Sequence, residues 1–225
     1  MQRIVSGVYA LPLEYEFMGE QRTITPAAVE TDRGLVLVDA GLPSHVDAIE
    51  SHLDDAGFGF ADVATVLVTH QDGDHAGGLA DIAARSDAAV VAHVDDAPYI
   101  AGDRHPIKSE DGERYPPTPV DIEVVDGVRF RTAAGPMRVV ATPGHTPGHV
   151  SLYFPEERLL LAADALTAEG EFGGPNEPFT PELETAVESV GRLAGLDVER
   201  TLCYHGGLVE HGPDRIGDIH DSLRS

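Results

Sequence analysis

Four side chains able to bind a metal ion, His70, Asp72, Asp74 and His75, fall within the stretch Val66-Leu67-Val68-Thr69-His70-Gln71-Asp72-Gly73-Asp74-His75. Neither a helix face nor a strand face can present all four together, whereas a compact turn can aim them at one centre. Imidazole nitrogen and carboxylate oxygen are ligands that zinc takes, and a catalytic zinc site keeps one position open for water. An Asp-Gly-Asp turn by itself is more simply read as a cap on the following helix. Two histidines, and further candidates downstream, favour the metal reading. His145 lies in Thr142-Pro143-Gly144-His145-Thr146-Pro147-Gly148-His149, after the apolar run Val139 to Ala141; Asp164 ends the run Leu159 to Ala163; His205 follows Leu202-Cys203-Tyr204.

Each candidate therefore ends a strand. Val63 to Val68 has the β-branched, bounded character of a buried strand, so His70 emerges at its carboxyl end, where open α/β sheets place their chemistry. Upstream, Ile4 to Leu13, Ala27 to Glu30 and Gly34 to Asp39 read as antiparallel strands, the last two joined at Asp32-Arg33-Gly34. Glu14 to Glu20 reads as a loop between them, its aromatics either packed down or lining a substrate entrance. Ser44 to Ala56 has helical spacing, with Ser44 as N-cap and Gly57 closing it, and its His45 and His52 read as surface histidines. Gly78 to Arg85 is a second helix and Ala89 to Ala92 a further strand, with His93 at its end a weaker candidate for the site, more simply read as structural or on the surface.

Pro98 to Pro119 is the least regular segment and is expected to be a long functional loop or lid. It holds Lys108, the only lysine of the chain. Its ammonium could meet an anionic substrate group, although a solvated surface lysine is the plainer reading. Val120 to Val125 and Val128 to Thr132 are expected to pair across Asp126-Gly127, a type I′ hairpin signal. Met137 to Ala141 then leads into the His145 loop, whose Pro-Gly corners stiffen the backbone. Val150 to Phe154 and Leu159 to Ala163 form a hairpin through Pro155-Glu156-Glu157. A helix with Thr180 as N-cap and Pro181 at its first position runs to about Leu193, followed by a strand from Arg200 to Tyr204 and a helix from Asp214 to Leu223.

The chain of 225 residues is long enough for one well-buried core, and no linker-like stretch divides it, so a single domain is expected. The net charge of −24, from 39 acidic and 15 basic residues, repels phosphate backbones and anionic lipid alike. The expected partner is a small molecule, with neither nucleic acid nor membrane involved. Acidic residues and arginine in place of lysine resemble the proteome of a salt-loving microbe, in which screening relieves the self-repulsion of such a surface. Cys203 is the only cysteine, which leaves no intramolecular disulfide. Met1 to Gly7 is unlike a signal peptide and no apolar run approaches the ~20 residues of a membrane helix, so a soluble cytoplasmic protein is expected.

In order from Asp39 to His205, these motifs resemble those of the metallo-β-lactamase-fold superfamily. The usual H-x-H-x-D-H of that family reads here as His70-x-Asp72-x-Asp74-His75, with aspartate in place of the second histidine. The resemblance implies an α/β fold, an αββα four-layer sandwich of two mixed β-sheets flanked by helices. It implies two divalent metal ions, zinc by default, one held by His70, Asp72 and His145, the other by Asp74, His75 and His205, with Asp164 bridging them. Asp39 would be buried beside the ligands and orient them, and His149 would not ligate. The implied reaction is hydrolysis by a metal-bound hydroxide that Asp74 also orients, on a small ester-like substrate. Likeness to glyoxalase II-like and lactonase-like members points to a thioester or lactone, although no equivalent of the former's glutathione-binding helical region follows His205.

Asp72 adds a negative charge and a harder oxygen ligand, which shifts preference toward iron or manganese. Flavodiiron oxidoreductases carry a carboxylate at this position as well, but with a flavin domain appended. The alternative reading is a persulfide dioxygenase-like oxidoreductase that holds one iron through His70, His145 and Asp164, a two-histidine-one-carboxylate set suited to oxygen activation.

Overall fold

The computed structural model describes residues 1–109 and 114–225. The first half of the chain runs β1 (Gln2–Val5), β2 (Val8–Ala10), β3 (Leu13–Phe17), β4 (Glu20–Ile24), β5 (Ala27–Thr31), β6 (Gly34–Val38), α1 (Val46–Asp55), β7 (Val63–Val68), α2 (Gly73–Ala76), α3 (Leu79–Ser86), β8 (Ala89–His93), α4 (Ala97–Ala101) and β9 (Ile122–Val124). The second half runs β10 (Arg129–Thr132), β11 (Gly135–Ala141), β12 (Val150–Phe154), β13 (Leu159–Ala163), α5 (Leu183–Ala194), β14 (Arg200–Cys203), β15 (Gly207–Glu210) and α6 (Arg215–Leu223). One sheet has the order β1-β2-β5-β6-β7-β8-β9, the other β10-β11-β12-β13-β14-β15, and β3 and β4 form a separate hairpin. Both sheets are mixed: β6 to β9 run parallel, as do β13 and β14, and the remaining neighbours are antiparallel.

Side-chain alternation along these strands produces the layers. Val36, Val38 and Leu67 face Val139, Leu152, Leu159, Leu161 and Leu202 of the other sheet in one buried cluster. Their neighbours Leu35, Leu37, Val66 and Val68 point the opposite way, against Val46, Ile49 and Leu53 of α1 and Leu79 and Ile82 of α3. Val140, Leu160, Ala162 and Cys203 likewise meet Val190 and Leu193 of α5 and Ile216 and Ile219 of α6. Strands apolar on both faces are what two helix-covered, mutually packed sheets require. Full burial of each such Leu or Val side chain contributes roughly 1.5–3 kcal/mol. The result is the αββα sandwich. No helix among the described residues is long and apolar enough to cross a membrane.

Several local expectations are corrected. The strand expected from Ile4 to Leu13 is broken at Gly7, where φ is +75°, into the β1-β2 hairpin. Glu14 to Glu20 is no loop: Met18 and Gly19, with φ of 52° and 81°, form a two-residue turn that pairs β3 with β4. The Asp126-Gly127 turn forms, yet it joins different sheets, because β9 pairs with β8 while β10 pairs with β11. Gly127 instead donates its N–H to Val139, and Asp126 accepts the N–H of Ala141. The segment expected to be a loop from Pro98 opens in α4, and its residues 110–113 lie outside the described residues.

His45 is buried rather than on the surface: its Nδ1 accepts the Leu42 N–H and its Nε2 contacts the Glu14 carbonyl at 3.3 Å. His52, half-buried, joins the amino terminus to the Pro12 carbonyl. Ser44 caps nothing, since a 3-10 turn over Pro43–His45 precedes α1. Thr180 does not cap α5 either, because that helix starts at Leu183 with Glu182 before it.

Candidate metal centre

The carboxyl ends of β6, β7, β11, β13 and β14 meet at one edge of the sandwich and deliver Asp39, His70, His145, Asp164 and His205 respectively. Asp72, Asp74 and His75 arrive with the turn after β7, which coils into α2. Asp72 stands at the N-cap position of α2, but its side chain makes no capping bond and turns into the site.

The rings are aimed by their second nitrogens. His75 Nδ1 donates to Asp39 Oδ2 at 2.9 Å, and Asp39 also accepts the N–H of Thr69 at 2.7 Å and its hydroxyl. His70 Nδ1 lies 3.2 Å from Thr69 Oγ1, and His145 Nδ1 lies 3.3 Å from Thr180 Oγ1, whose hydroxyl donates to the Asn176 carbonyl. Each Nε2 is left facing the common centre, the arrangement by which an outer partner fixes the tautomer of a ligating imidazole. Asp39 has φ of 66° and Ala163 of 47°. Left-handed backbone at a non-glycine residue costs roughly 1–2 kcal/mol, and here the second bend turns Asp164 inward.

Asp164 occupies the middle. Its Oδ1 is 3.1 Å from His75 Nε2, and its Oδ2 is 3.3 Å from His145 Nε2 and 3.5 Å from His205 Nε2. Two groups result, His70 with His145 and Asp164, and Asp74 with His75 and His205, each with ligand atoms within 4.8 Å of one another. Asp74 Oδ2 lies 3.2 Å from His205 Nε2. Asp72 Oδ2 lies 3.0 Å from His145 Nε2 and 3.4 Å from His70 Nε2, and it accepts from Lys108 Nζ at 2.6 Å.

The electrostatics suit a cation. Burial opposes a charge on His75, but the carboxylates of Asp164, Asp39 and Asp74 hold its pKa well above the usual range. Burial likewise opposes a charge on His205, and Asp164 and Asp74 lift its pKa to about 10. Burial would raise the pKa of Asp164, yet the rings of His75, His205 and His145 keep it well below the usual carboxylate range. Asp72 is held low against its burial by His70, His145 and Lys108. His70, buried and beside His75, is pushed down and stays neutral.

His70 Nε2, His75 Nε2 and Asp164 Oδ1 are buried and make no hydrogen bond. Buried polar atoms without partners are costly, and a shared cation would satisfy them together. The residues therefore fit the divalent metal ions implied by the fold.

Other residues hold the loops, among them Asp96, which no sequence motif marked. Asp96, fully buried after β8, accepts from Gln71 N, Gln71 Nε2, Gly148 N and Thr146 Oγ1 at 2.7–3.2 Å, so one carboxylate ties the His70 turn to the His145 loop. Gly148 is obligatory there, since a Cβ would come within 2.5 Å of Asp96 N. His149 stays out of the ligand groups: its Nε2 accepts the backbone N–H of Asp164 at 3.1 Å, and its Nδ1 is 2.8 Å from Thr142 Oγ1. Burial and the neighbouring His70 ring push its pKa well down, which keeps Nε2 an acceptor. His93 is buried beneath its own strand end and belongs to neither group.

A cavity of about 880 Å³ opens over the cluster, walled by Phe17, Leu42, Pro106, Tyr115, Leu166 and Phe179, with Asp72, Asp74, Asp164, His145 and His205 at its floor. The β3-β4 hairpin supplies Tyr15 and Phe17, so these aromatics do line the entrance.

A family model described as the metallo-beta-lactamase superfamily matches residues 24–205. The chain belongs to this superfamily of metal-dependent hydrolases. It is 32% identical over 207 residues to the probable metallo-hydrolase YflN of Bacillus subtilis (strain 168), a match covering 76% of this chain and 75% of that one. It is 33% identical over 141 residues to a hydroxyacylglutathione hydrolase of Methylococcus capsulatus, covering 62% of this chain and 47% of the relative, and so spans about half the length of that enzyme. Among solved structures, a Cronobacter sakazakii metallo-beta-lactamase with a HARLDQ motif superposes with a TM-score of 0.78 at 24% identity, over 100% of this chain and 96% of that one.

Proposed function

We propose that the protein hydrolyses a small thioester or lactone with two divalent metal ions, zinc by default, held by His70, Asp72, His145 and Asp164 on one side and Asp74, His75, His205 and Asp164 on the other. The observation that carries this reading is Asp164, whose two oxygens face histidines of both ligand groups. Bound divalent ions of this kind acidify a water molecule and polarise a carbonyl oxygen. The protein's own groups do the rest. Asp74, part-exposed on the cavity floor, orients the attacking water and receives its proton, while Asp39 and Thr69 keep His75 and His70 in register. The apolar wall of the cavity takes the acyl or leaving group.

The alternative, a mononuclear iron dioxygenase, is supported by the compact His70, His145 and Asp164 group. Against it stands the second group, equally complete, in Asp74, His75 and His205. Metal analysis of the purified protein, with a panel of thioesters, lactones and phosphodiesters and an oxygen electrode supplied with a persulfide, tests both. Two metal equivalents and chelator-sensitive thioester or lactone cleavage are expected. One iron per chain with oxygen uptake on a persulfide would replace this reading with the other.

A further inference from the structure

Lys108 is the only lysine in the chain, and it does not lie on the solvated surface. Its side chain is 20% exposed, and its Nζ sits 2.6 Å from Asp72 Oδ2 and 2.6 Å from His145 Nε2. The position is built from below. Ile107, the residue before it, donates its N–H to Gln71 Oε1 at 2.9 Å, and Gln71 is held through its own N–H and side-chain amide by the buried Asp96. The lysine stem thus starts from an anchor on the turn that carries His70 and Asp72.

The other described cations that line the cavity are engaged elsewhere. Arg22 pairs with Glu169 and Glu20, and Arg114 donates to the carbonyls of Tyr99, Arg104 and Tyr115. Lys108 is the cation directed at the ligand cluster. It is also the partner that makes sense of aspartate at position 72. A carboxylate has about four lone-pair sites and can serve a metal and an ammonium together; His145 Nε2 has a single lone pair, so with a metal on His145 the ammonium would be held by Asp72 alone.

We propose that Lys108 is a catalytic residue of the hydrolysis, its ammonium donating to the carbonyl oxygen of the substrate, with Asp72 as the positioning residue that holds it there. The inference rests on the hydrolase reading above. In the step it assists, the water oxygen bonds to the carbonyl carbon, the carbonyl π pair moves onto oxygen, and the water proton passes to Asp74. Collapse then returns that pair to carbon and expels the thiolate or alkoxide. A fixed cation placed where negative charge develops stabilises the transition state more than the ground state.

The test compares metal-loaded wild type with Lys108→Met and Lys108→Arg. Metal content and melting temperature are measured first, then kcat and KM on the best substrate of the panel, and finally calorimetric binding of phenylphosphonate, an anionic tetrahedral mimic. Lys108→Met is expected to keep its metals and its KM, lose about 100-fold or more in kcat, and bind phenylphosphonate several-fold more weakly. Lys108→Arg should recover part of both losses. An unchanged kcat, a lost metal equivalent in Lys108→Met, or equal phosphonate binding by wild type and Lys108→Met overturns the proposal. Should the wild type turn over no member of the panel, the hydrolase reading fails there, and the phosphonate arm, which needs no turnover, decides the role of Lys108.

Discussion

Asp164 reaches His75 with one oxygen and His145 with the other, while its backbone N–H is held separately by His149. Replacing it by alanine removes the side-chain contacts and leaves the backbone anchor, so Asp164→Ala is expected to lose activity by roughly 10²–10³ with a native-like circular dichroism spectrum and cooperative unfolding. Loss of that cooperativity would give Asp164 a structural role instead. Asp72→His restores the usual motif and removes the lysine's carboxylate partner; metal preference should move toward zinc, and competition between zinc and manganese checks it. Identical selectivity in wild type, Asp72→His and Asp72→Ala would show that position 72 does not bear on the metal. The candidate ligands were legible in the sequence because apolar runs stop abruptly in histidine and aspartate. Asp96 and Gln71 were not, since each is a single polar residue whose meaning comes only from partners dozens of positions away, and Thr180 was legible only as a helix cap.

At the scale of elements, the His70 turn and the His145 loop are independent pieces of chain pinned by one carboxylate. Asp96→Ala would strand the buried N–H groups of Gln71 and Gly148, each costing roughly 1–3 kcal/mol, so a loss of about 3 kcal/mol in urea unfolding is expected, with weaker metal binding. A variant that kept both stability and metal affinity would show that the pin is dispensable. The same pieces explain what periodicity could and could not reveal. Strands such as β7 and β13 announce themselves as apolar runs, whereas the turn at Asp126-Gly127 reveals a change of direction and not which sheet each flanking strand joins. The β3-β4 hairpin stayed hidden because its turn places Met18, a residue that rarely takes positive φ, beside Gly19.

For the whole molecule, pH acts through the site. In the metal-free protein the pKa of His205 is raised to about 10 and that of His75 is raised as well. Stability from these rings is fully present below about pH 6.5, the unfolded histidine value, and is lost as pH rises through their folded values. The melting temperature of metal-free protein should therefore fall between about pH 6.5 and 10, and that of metal-loaded protein should fall less. A flat metal-free profile would contradict the contacts around His205. With a net charge of −24, the metal-free melting temperature should also climb between about 0.1 and 1 M potassium chloride, over which the screening length shrinks from ~10 to ~3 Å. A melting temperature indifferent to salt would count against a self-repelling surface.

The chain crosses from one sheet to the other at Asp126-Gly127, and each ligand group draws on both sides of that crossing. While the protein is being synthesised, the emerging first half carries His70, Asp74 and His75 but lacks the residues that complete either group. One group waits for His145 and Asp164, the other for His205. Neither group is therefore complete before most of the second sheet has been made, and the Asp74 group not before β14 has emerged with His205.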